Sequence, residues 1–213
     1  MAHRKLLPEE RRREIVLAAQ KLFNSKGIKA TSVSDIVKAV GVAQGTFYWY
    51  FKSKEEVINA VAQEYTRNYY ASQIEIVKTP GLSALEKMHR IWDDSLKKYA
   101  ENISLTNYLH SEKSQAMHEQ LVKENMVFLF PLMNDIIRQG TEEGIFQVQD
   151  VEETTLIFIA GLQGVHLLFY SSLNQTQFEY RVKLITEFFL KGLGCTDRSF
   201  VERLRIPNII PME

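Results

Sequence analysis

Segment 31–54, TSVSDIVKAVGVAQGTFYWYFKSK, constrains the fold more than any other stretch of the chain. Ser32 and Asp35 have the spacing of a capping box, so we expect a helix to begin there. Gly41 follows the apolar residues of that helix and marks a turn, because glycine adopts a left-handed backbone at little cost. A second short helix is predicted over 43–50. Two short helices around a glycine are typical of a helix-turn-helix, whose second helix enters the major groove of DNA.

The residues predicted to face outward from this segment carry hydrogen-bonding side chains. They supply amide, hydroxyl and ammonium groups within three helical turns: Gln44, Thr46, Tyr48, Tyr50, Lys52 and Lys54. A glutamine pairs bidentately with adenine, whereas hydroxyl and ammonium groups hold phosphates. Two helices joined at a glycine also occur in proteins that never bind DNA. The side chains, more than the spacing, therefore favour a nucleic-acid interface.

Charge is distributed unevenly along the chain, although the 213 residues have a formal net charge of zero. Residues 1–54 contain eleven Lys or Arg and four acidic residues, which gives a net charge of +7. Residues 55–213 carry a net charge of −7. Because the amino-terminal part is basic and the rest of the chain is acidic, we expect the amino-terminal part to face a polyanion.

The chain as a whole is predicted to be all-α. Apolar residues recur at helical spacing, and neither strand-like alternation nor an internal repeat is present. The single cysteine, Cys195, cannot form an internal disulfide, which suits a reducing cytoplasm. Residues 1–13 are charged and do not resemble a signal peptide, and the longest apolar run, 156–170, is too short to cross a bilayer. We therefore expect a cytoplasmic protein with no membrane partner.

Helices are also predicted outside the opening segment. Their expected ranges are 11–26, 53–77, 82–100, 104–111, 115–139, 151–171 and 177–190. Residues 1–10 are expected to form a loose or weakly helical arm, and residues 195–213 a tail. Pro131 lies inside the long helix at 115–139 and is expected to kink or split it.

The run VAQGTFYWYFKSKEEVI at residues 42–58 carries a specific family resemblance. Together with Phe23, Gly27, Thr31, Val33, Ile36 and Gly41, it resembles the amino-terminal domain of the TetR family of bacterial transcriptional repressors (TetR/AcrR type). The resemblance covers about the first sixty residues. It implies an all-α fold with a three-helix helix-turn-helix DNA-binding domain at residues 1–53. Residues 54–213 would then form a larger helical ligand-binding and dimerisation domain, with about nine helices expected.

The same resemblance implies roles for individual residues. Gln44, Gly45 and Tyr48 are expected to face base edges, with the glycine allowing the backbone to approach closely. The residues expected to hold phosphates are Ser32, Ser34, Thr46, Tyr50, Lys52 and Lys54. Ala43 departs from the serine that often begins this helix in the family, which removes one possible phosphate contact.

The two helices predicted near the carboxyl end are strongly apolar. Helix 151–171 is apolar around most of its circumference, which indicates burial on all sides. One domain of this size does not need to bury both helices completely, so we expect them to pack against their copies in a homodimer, as the resemblance also implies. The residues expected at this interface are Leu156, Ile159, Gly164, Leu167, Phe178, Val182, Ile185 and Phe189. A monomeric bundle with an apolar central helix is the alternative.

Aromatic and methionine side chains are frequent in the middle of the chain. Such residues usually form ordinary core, but rings with polar tips also suit a cavity that holds an apolar molecule through a few hydrogen bonds. The resemblance implies an inducer pocket in this region. The residues expected to line it are Tyr65, Tyr70, Met88, Trp92, Tyr108 and Phe128.

These features predict a DNA-binding transcriptional regulator. The simplest form is a repressor that binds a palindromic operator in double-stranded DNA as a homodimer and is released by an apolar small-molecule effector. No phosphate-binding loop, nucleophile motif or metal-ligand spacing of histidines occurs, so we expect no enzymatic activity, no cofactor and no metal. A regulator without an effector, an activator, and a helical enzyme or scaffold remain as alternatives.

Overall fold

The computed structural model describes residues 7–109, 115–169 and 174–206. Within these ranges the chain consists of α-helices and connecting turns with no β-strand, which confirms the all-α prediction. The helices are α1 (Pro8–Lys26), α2 (Val33–Val40), α3 (Gln44–Tyr50), α4 (Lys54–Lys78), α5 (Ala84–Glu101), α6 (Ile103–Leu109), α7 (Gln115–Glu142), α8 (Val151–Phe169), α9 (Gln175–Gly192) and α10 (Ser199–Arg203).

The described residues form two compact units. The first unit takes its residues from Met1–Asn68 and Glu101–Leu121, and the second from Tyr69–Ala100 and Val122–Glu213. Helix α4 therefore contributes residues to both units, and α6 belongs to the amino-terminal one. The domain boundary expected between residues 53 and 54 stays a prediction.

Helix α1 begins at Pro8, ahead of the expected start at residue 11. Proline suits the first helical position because its φ is already helical and its missing N–H is not needed there. The Glu10 carboxylate accepts a hydrogen bond from the Leu7 backbone N–H at 2.9 Å, which holds the first turn. Residues 8–10 are thus helical, and the remainder of the expected arm, 1–6, lies outside the described residues.

The local signals for the helix-turn-helix are confirmed. The Ser32 hydroxyl accepts a hydrogen bond from the Asp35 backbone N–H at 3.1 Å, and the Asp35 carboxylate accepts one from the Ser32 N–H at 2.7 Å. Gly41 has φ 74° and ψ 34°, a left-handed conformation that ends α2. The N–H groups of Gly41 and Val42 both donate to the Val37 carbonyl, which closes the turn before α3.

The core of the first unit joins α1–α4 with α6. Its fully buried side chains include Ile15, Ala19, Phe23, Ile36, Phe47, Phe51, Val57, Ile58, Val61 and Leu105. Burying a side chain as large as leucine or phenylalanine contributes about 1.5–3 kcal/mol. This core fixes the position of α3, which has only seven residues and is too short to be stable alone.

Helix α6 is also tied to α1 by polar contacts. The Asn102 side-chain carbonyl, just before α6, accepts hydrogen bonds from Gln20 Nε2 at 3.0 Å and from Asn24 Nδ2 at 3.3 Å. The Ser104 hydroxyl accepts one from the Ile28 N–H at 3.3 Å. A segment distant in sequence therefore braces the helix that supports the helix-turn-helix.

The long helix α7 lies in the second unit from Val122 onward, and it continues through Pro131 without a break. Pro131 is exposed, whereas Leu132 and Met133 immediately after it are buried, so core packing stabilises the helix across the proline. Gly140, near the end of α7, allows the ring of Phe146 to approach the helix closely. A Cβ atom at position 140 would clash with the ring of Phe146, which is itself 1% exposed.

A short helix, α10, lies where the sequence predicts only a tail. It has five residues, too few to show a helical period, and it is anchored by Phe200, which is buried. The Phe200 ring stacks on His89 of α5 with centroids 4.1 Å apart. The rest of the predicted tail, 207–213, lies outside the described residues.

Candidate functional site

Helix α3 presents one face to the core of the first unit and the other to solvent. Phe47 is 0% exposed and is the buried anchor of the helix. With 3.6 residues per turn, Gly45 and Trp49 point about 160° away from Phe47. Both are exposed, and the Trp49 side chain has 69% of its surface accessible. These two residues lie at the centre of the outward face.

The predicted base-reading residues lie on or beside this face. Gln44 is exposed at the start of α3, and Tyr48, one turn later, is 50% exposed. Trp49, which also lies on this face, was not among the predicted residues. Its ring stands edge-to-face against Tyr50, with ring centroids 4.5 Å apart. Its spacing of two residues from buried Phe47 is the signal that would have identified it.

The predicted phosphate-holding residues have varied environments. Lys52 and Ser34 are exposed, whereas Thr46, Tyr50 and Lys54 are half-buried. Tyr50 packs against the core of the first unit, so only part of it is available to DNA. The Ser32 hydroxyl is already bonded to the Asp35 carboxylate at 2.6 Å, so its contribution to a phosphate contact would compete with the cap.

Electrostatics around the start of α2 are set by an ion pair. Lys26 Nζ lies 2.7 Å from the Asp35 carboxylate. This lysine, followed by the Ser32 hydroxyl and N–H, holds the pKa of the Asp35 carboxyl well below its usual value. Asp35 therefore stays ionised at neutral pH, and its charge complements the positive end of the α2 dipole.

The three arginines near the start of α1 all have partners within the first unit. Arg11 pairs with Glu14 at 2.5 Å, and the Arg12 guanidinium lies 4.8 Å from the centre of the Phe51 ring. Arg13 reaches the buried carboxylate of Glu64 at 3.4 Å. Their positions are accounted for by packing and ion pairing inside the protein, with no DNA contact required.

The predicted effector-binding residues fall into both units. Tyr65 and Tyr108 pack against the core of the first unit. Tyr70, Met88, Trp92 and Phe128 lie in the second unit. Tyr70 and Phe128 stack with ring centroids 5.5 Å apart, and Met88 and Trp92 are half-buried against the core of the second unit.

The predicted dimer residues differ in their accessibility. Ile159, Phe178 and Val182 are buried within the protomer, Ile185 and Phe189 are half-buried, and Leu156 is 42% exposed. Gly164 and Leu167 lie in the part of α8 whose side chains are outside the described residues. The highly exposed apolar side chains on these helices are Ile157, Tyr180, Leu184 and Phe188, at 72%, 69%, 53% and 73%.

Two other kinds of site, a metal centre and a membrane span, concern the described ranges. There, no group of three or more His, Cys, Asp or Glu residues is placed to hold a metal ion. Among the same residues, no helix combines the length and the hydropathy needed to span a bilayer.

Comparison with protein families places a known domain over the helix-turn-helix. Residues 15–61 match the family model described as bacterial regulatory proteins, tetR family. The matched segment includes α2, α3 and the first part of α4, which are the elements that position the outward face around Gly45 and Trp49.

Relatives of known name are similar to this chain over different lengths. The transcriptional repressor KstR2 of Mycolicibacterium smegmatis is 35% identical over 81 residues, covering 38% of this chain and 39% of the relative. The uncharacterized regulator YvdT of Bacillus subtilis is 50% identical over 50 residues, covering 24% and 26%. The chain thus spans two fifths or less of these two relatives. The KstR2 of Rhodococcus jostii is 23% identical over 187 residues, covering 86% and 91%.

Solved structures share the fold over nearly the whole chain. A TetR/AcrR-family regulator from Thermobifida fusca has a TM-score of 0.61 and 24% identity, covering 86% of this chain and 98% of its own. RolR in complex with its ligand resorcinol has a TM-score of 0.62 and 17% identity, covering 94% and 97%. At these identities the likeness concerns the fold alone.

Proposed function

We propose that this chain, whose residues 15–61 match the model for bacterial regulatory proteins of the tetR family, is a homodimeric, ligand-released transcriptional repressor of that family. We infer that it is a DNA-binding regulator and not an enzyme, because the family model and the named relatives that it matches are transcriptional regulators. We infer that it acts in the cytoplasm on a palindromic operator and that an apolar small molecule releases it.

The outward face of α3 is the observation that carries the proposal. Gln44, Gly45, Tyr48 and Trp49 are exposed side by side on a helix whose opposite side is locked by buried Phe47. Such a helix fits the major groove, where an amide reads adenine and an aromatic edge contacts a thymine methyl. The net charge of +7 on residues 1–54 supplies attraction to phosphates.

The exposed apolar residues of α8 and α9 support a dimer. Tyr180, Leu184 and Phe188 follow one another at four-residue spacing along α9, and Ile157 adds to them from α8. Large apolar side chains exposed in such numbers mark an interaction surface. A two-fold dimer would hold its two copies of α3 about 34–36 Å apart, one turn of DNA, or a multiple of that distance, and so would require a palindromic operator.

Release by a ligand would be a shift between two populations of the dimer. The effector must bind preferentially the geometry whose paired reading helices no longer match the groove spacing. Two features of the chain support this: α4 contributes residues to both units, and the second unit contains a partly buried apolar cluster. The structurally similar protein RolR, solved with resorcinol, is an example of the same fold with a small aromatic ligand.

Equilibrium binding to DNA tests the proposal. Fluorescence anisotropy of the duplex upstream of the protein's own gene, with a shuffled duplex as control, should show binding that is at least about 10³-fold tighter to the upstream sequence. Affinity for both should fall with added salt, because phosphate contacts release counterions. Equal, salt-insensitive affinity for the two duplexes would contradict the proposal.

A further inference from the structure

A cleft with a volume of about 360 Å³ lies on the first unit, between α1 and the first part of α4. Each helix lines it with residues at positions i, i+3, i+4 and i+7, which form one stripe along a helix surface. We call it the α1–α4 cleft. Its lining residues are Glu9, Arg12, Arg13 and Val16 of α1, and Ala60, Gln63, Glu64 and Arg67 of α4. Cavities of this size hold small molecules in other proteins.

The inner wall of the α1–α4 cleft is formed by buried side chains. Val16, Ala60 and Glu64 are only 3%, 6% and 8% exposed. A carboxylate buried to this extent is costly unless cations pair with it. Two arginines do so: Arg13 Nη2 lies 3.4 Å from Glu64 Oε1, and Arg67 Nη1 lies 3.1 Å from Glu64 Oε2. The buried carboxylate therefore links α1 to α4 and holds both guanidinium groups at the cleft.

The two arginines that pair with Glu64 also face solvent. Their side chains are 69% exposed for Arg13 and 74% exposed for Arg67. A guanidinium carries several N–H donors in a planar fork, and the contact with Glu64 engages one nitrogen of each group. The outer edges of both groups can therefore donate to an acceptor that enters the cleft from solution.

The charges that line the α1–α4 cleft favour an anion. Three arginines and two glutamates give the lining residues a formal net charge of +1. The neighbouring charges of Arg11 and Glu14 on α1 form an ion pair of their own. One negative charge would therefore neutralise the lining, whereas a cation would add to its excess charge. A carboxylate is the monoanion whose two oxygens match the guanidinium fork.

The position of Arg67 separates this cleft from the outward face of α3. Helix α4 begins at Lys54, immediately after α3, and Arg67 lies thirteen residues further along it. At 1.5 Å per residue this is a distance of about 20 Å along the helix axis. A small molecule is therefore a better match for the arginine pair than the phosphates of a duplex that contacts α3.

We propose that the α1–α4 cleft binds a small carboxylic acid as its monoanion. The carboxylate lies against the outer edges of Arg13 and Arg67, and a compact apolar part contacts Val16 and Ala60. The proposal concerns the first unit alone and does not rest on the release of DNA proposed above.

Three probes of matched shape separate the charge classes. Benzoate, benzamide and benzamidine share a ring and a planar head group, and at pH 7 they are an anion, a neutral molecule and a cation. Titration of the full chain at constant ionic strength, followed by ¹⁵N–¹H spectra, should show saturable binding of benzoate. The dissociation constants of the other two should be at least about tenfold higher. Equal affinities, tighter binding of benzamidine, or no saturable binding of benzoate would overturn the proposal.

Single variants connect the binding to the arginine pair. Arg13→Gln and Arg67→Gln should each weaken benzoate binding at least about fivefold, the effect of one exposed ion pair. Each variant leaves the other arginine to pair with Glu64, so the melting temperature should stay close to that of the parent. Lys21→Gln removes the same charge from an exposed position of α1 outside the cleft, and it should leave the affinity unchanged. Unchanged binding in both arginine variants, or an equal loss in Lys21→Gln, would contradict the assignment.

The arginine side chains give a direct readout in the parent protein. The Nε–H signals of Arg13 and Arg67, identified by their loss in the two variants, should shift with benzoate and stay in place with benzamide. Unmoved signals would overturn the proposal even if a variant proved unstable.

Random duplex DNA provides the remaining control. Because the proposed ligand is a small molecule, Arg13→Gln and Arg67→Gln should weaken binding to a random duplex no more than Lys21→Gln does. A larger loss would assign the two arginines to DNA phosphates and overturn the proposal. Binding of benzoate as expected, in a protein that ignores its operator, would contradict the proposed repressor function alone.

Discussion

Sequence-specific recognition is expected to depend on a few side chains of α3. Gln44 is exposed at the start of the helix, where its amide can pair with adenine. Gln44→Ala should cost about 1–3 kcal/mol on the operator and little on random DNA, because only base recognition is lost. Lys52→Ala is the control: it should weaken binding to both duplexes alike and flatten the salt dependence. Equal losses on the two duplexes for Gln44→Ala would contradict its assignment.

For Trp49, we infer a role in DNA recognition from its exposure in the structure and not from the sequence. Its side chain is 69% exposed, so Trp49→Ala removes little packing within the protomer. We expect operator affinity to fall at least tenfold, as measured by anisotropy, while the melting temperature changes by less than about 2 °C. A Trp49→Phe variant should bind with intermediate affinity, because a smaller ring remains. Full affinity in Trp49→Ala would exclude the indole from the interface.

The aromatic run around Trp49 shows why side-chain direction was hard to predict. Residues 47–51 read Phe-Tyr-Trp-Tyr-Phe, so hydrophobicity alone does not identify the buried rings. Only the packing of Phe47 and Phe51 into the core sets the rotation of α3 and leaves Trp49 outside. The exposure of Gln44 was predictable, because a polar residue at the start of a helix is rarely buried.

At the scale of elements, the cap of α2 should be a measurable source of stability. Ser32→Ala removes the acceptor for the Asp35 N–H, and this should lower the free energy of unfolding by about 0.5–2 kcal/mol. Urea denaturation of the variant and the parent at pH 7 measures the difference. Ser34→Ala, an exposed neighbour within α2, should have little effect. Equal destabilisation by both changes would show that the cap is not responsible.

The Asp35 carboxylate should make part of this stability depend on pH. Lys26, together with Ser32, lowers its pKa in the folded state, so ionised Asp35 favours folding. That contribution is complete well above the ordinary pKa of 3.8 and is lost as the pH falls below it. The difference in unfolding free energy between the parent and Asp35→Asn should therefore shrink between pH 6 and pH 3. A difference that stays constant would contradict the ion pair.

Local signals predicted the elements well where the chain itself provides the hydrogen bonds. The capping box at Ser32 and the left-handed Gly41 are confirmed at the expected positions. The placement of α6 in the first unit was not predicted, because it depends on Asn102 and Leu105 contacting residues some eighty positions earlier. Helix α10 was missed for a similar reason: its anchor is the tertiary contact of Phe200.

At the scale of the whole molecule, the exposed apolar stripe of α9 should hold the dimer together. Phe188→Glu places a charge at a side chain that is 73% exposed in the protomer, so the fold should survive while the dimer dissociates. Sedimentation velocity should show a shift from dimer to monomer. Lys183→Asp, a charge change at an exposed position of the same helix, should remain dimeric. A dimeric Phe188→Glu protein would place the interface elsewhere.

The stoichiometry of the complex with operator DNA tests the central claim most directly. Sedimentation equilibrium of the full chain with its operator should give two subunits per duplex, or a multiple of two. The monomeric Phe188→Glu variant should lose most of this affinity, because each reading helix then binds alone. A single subunit bound to the operator at full affinity would contradict recognition by two paired copies of α3.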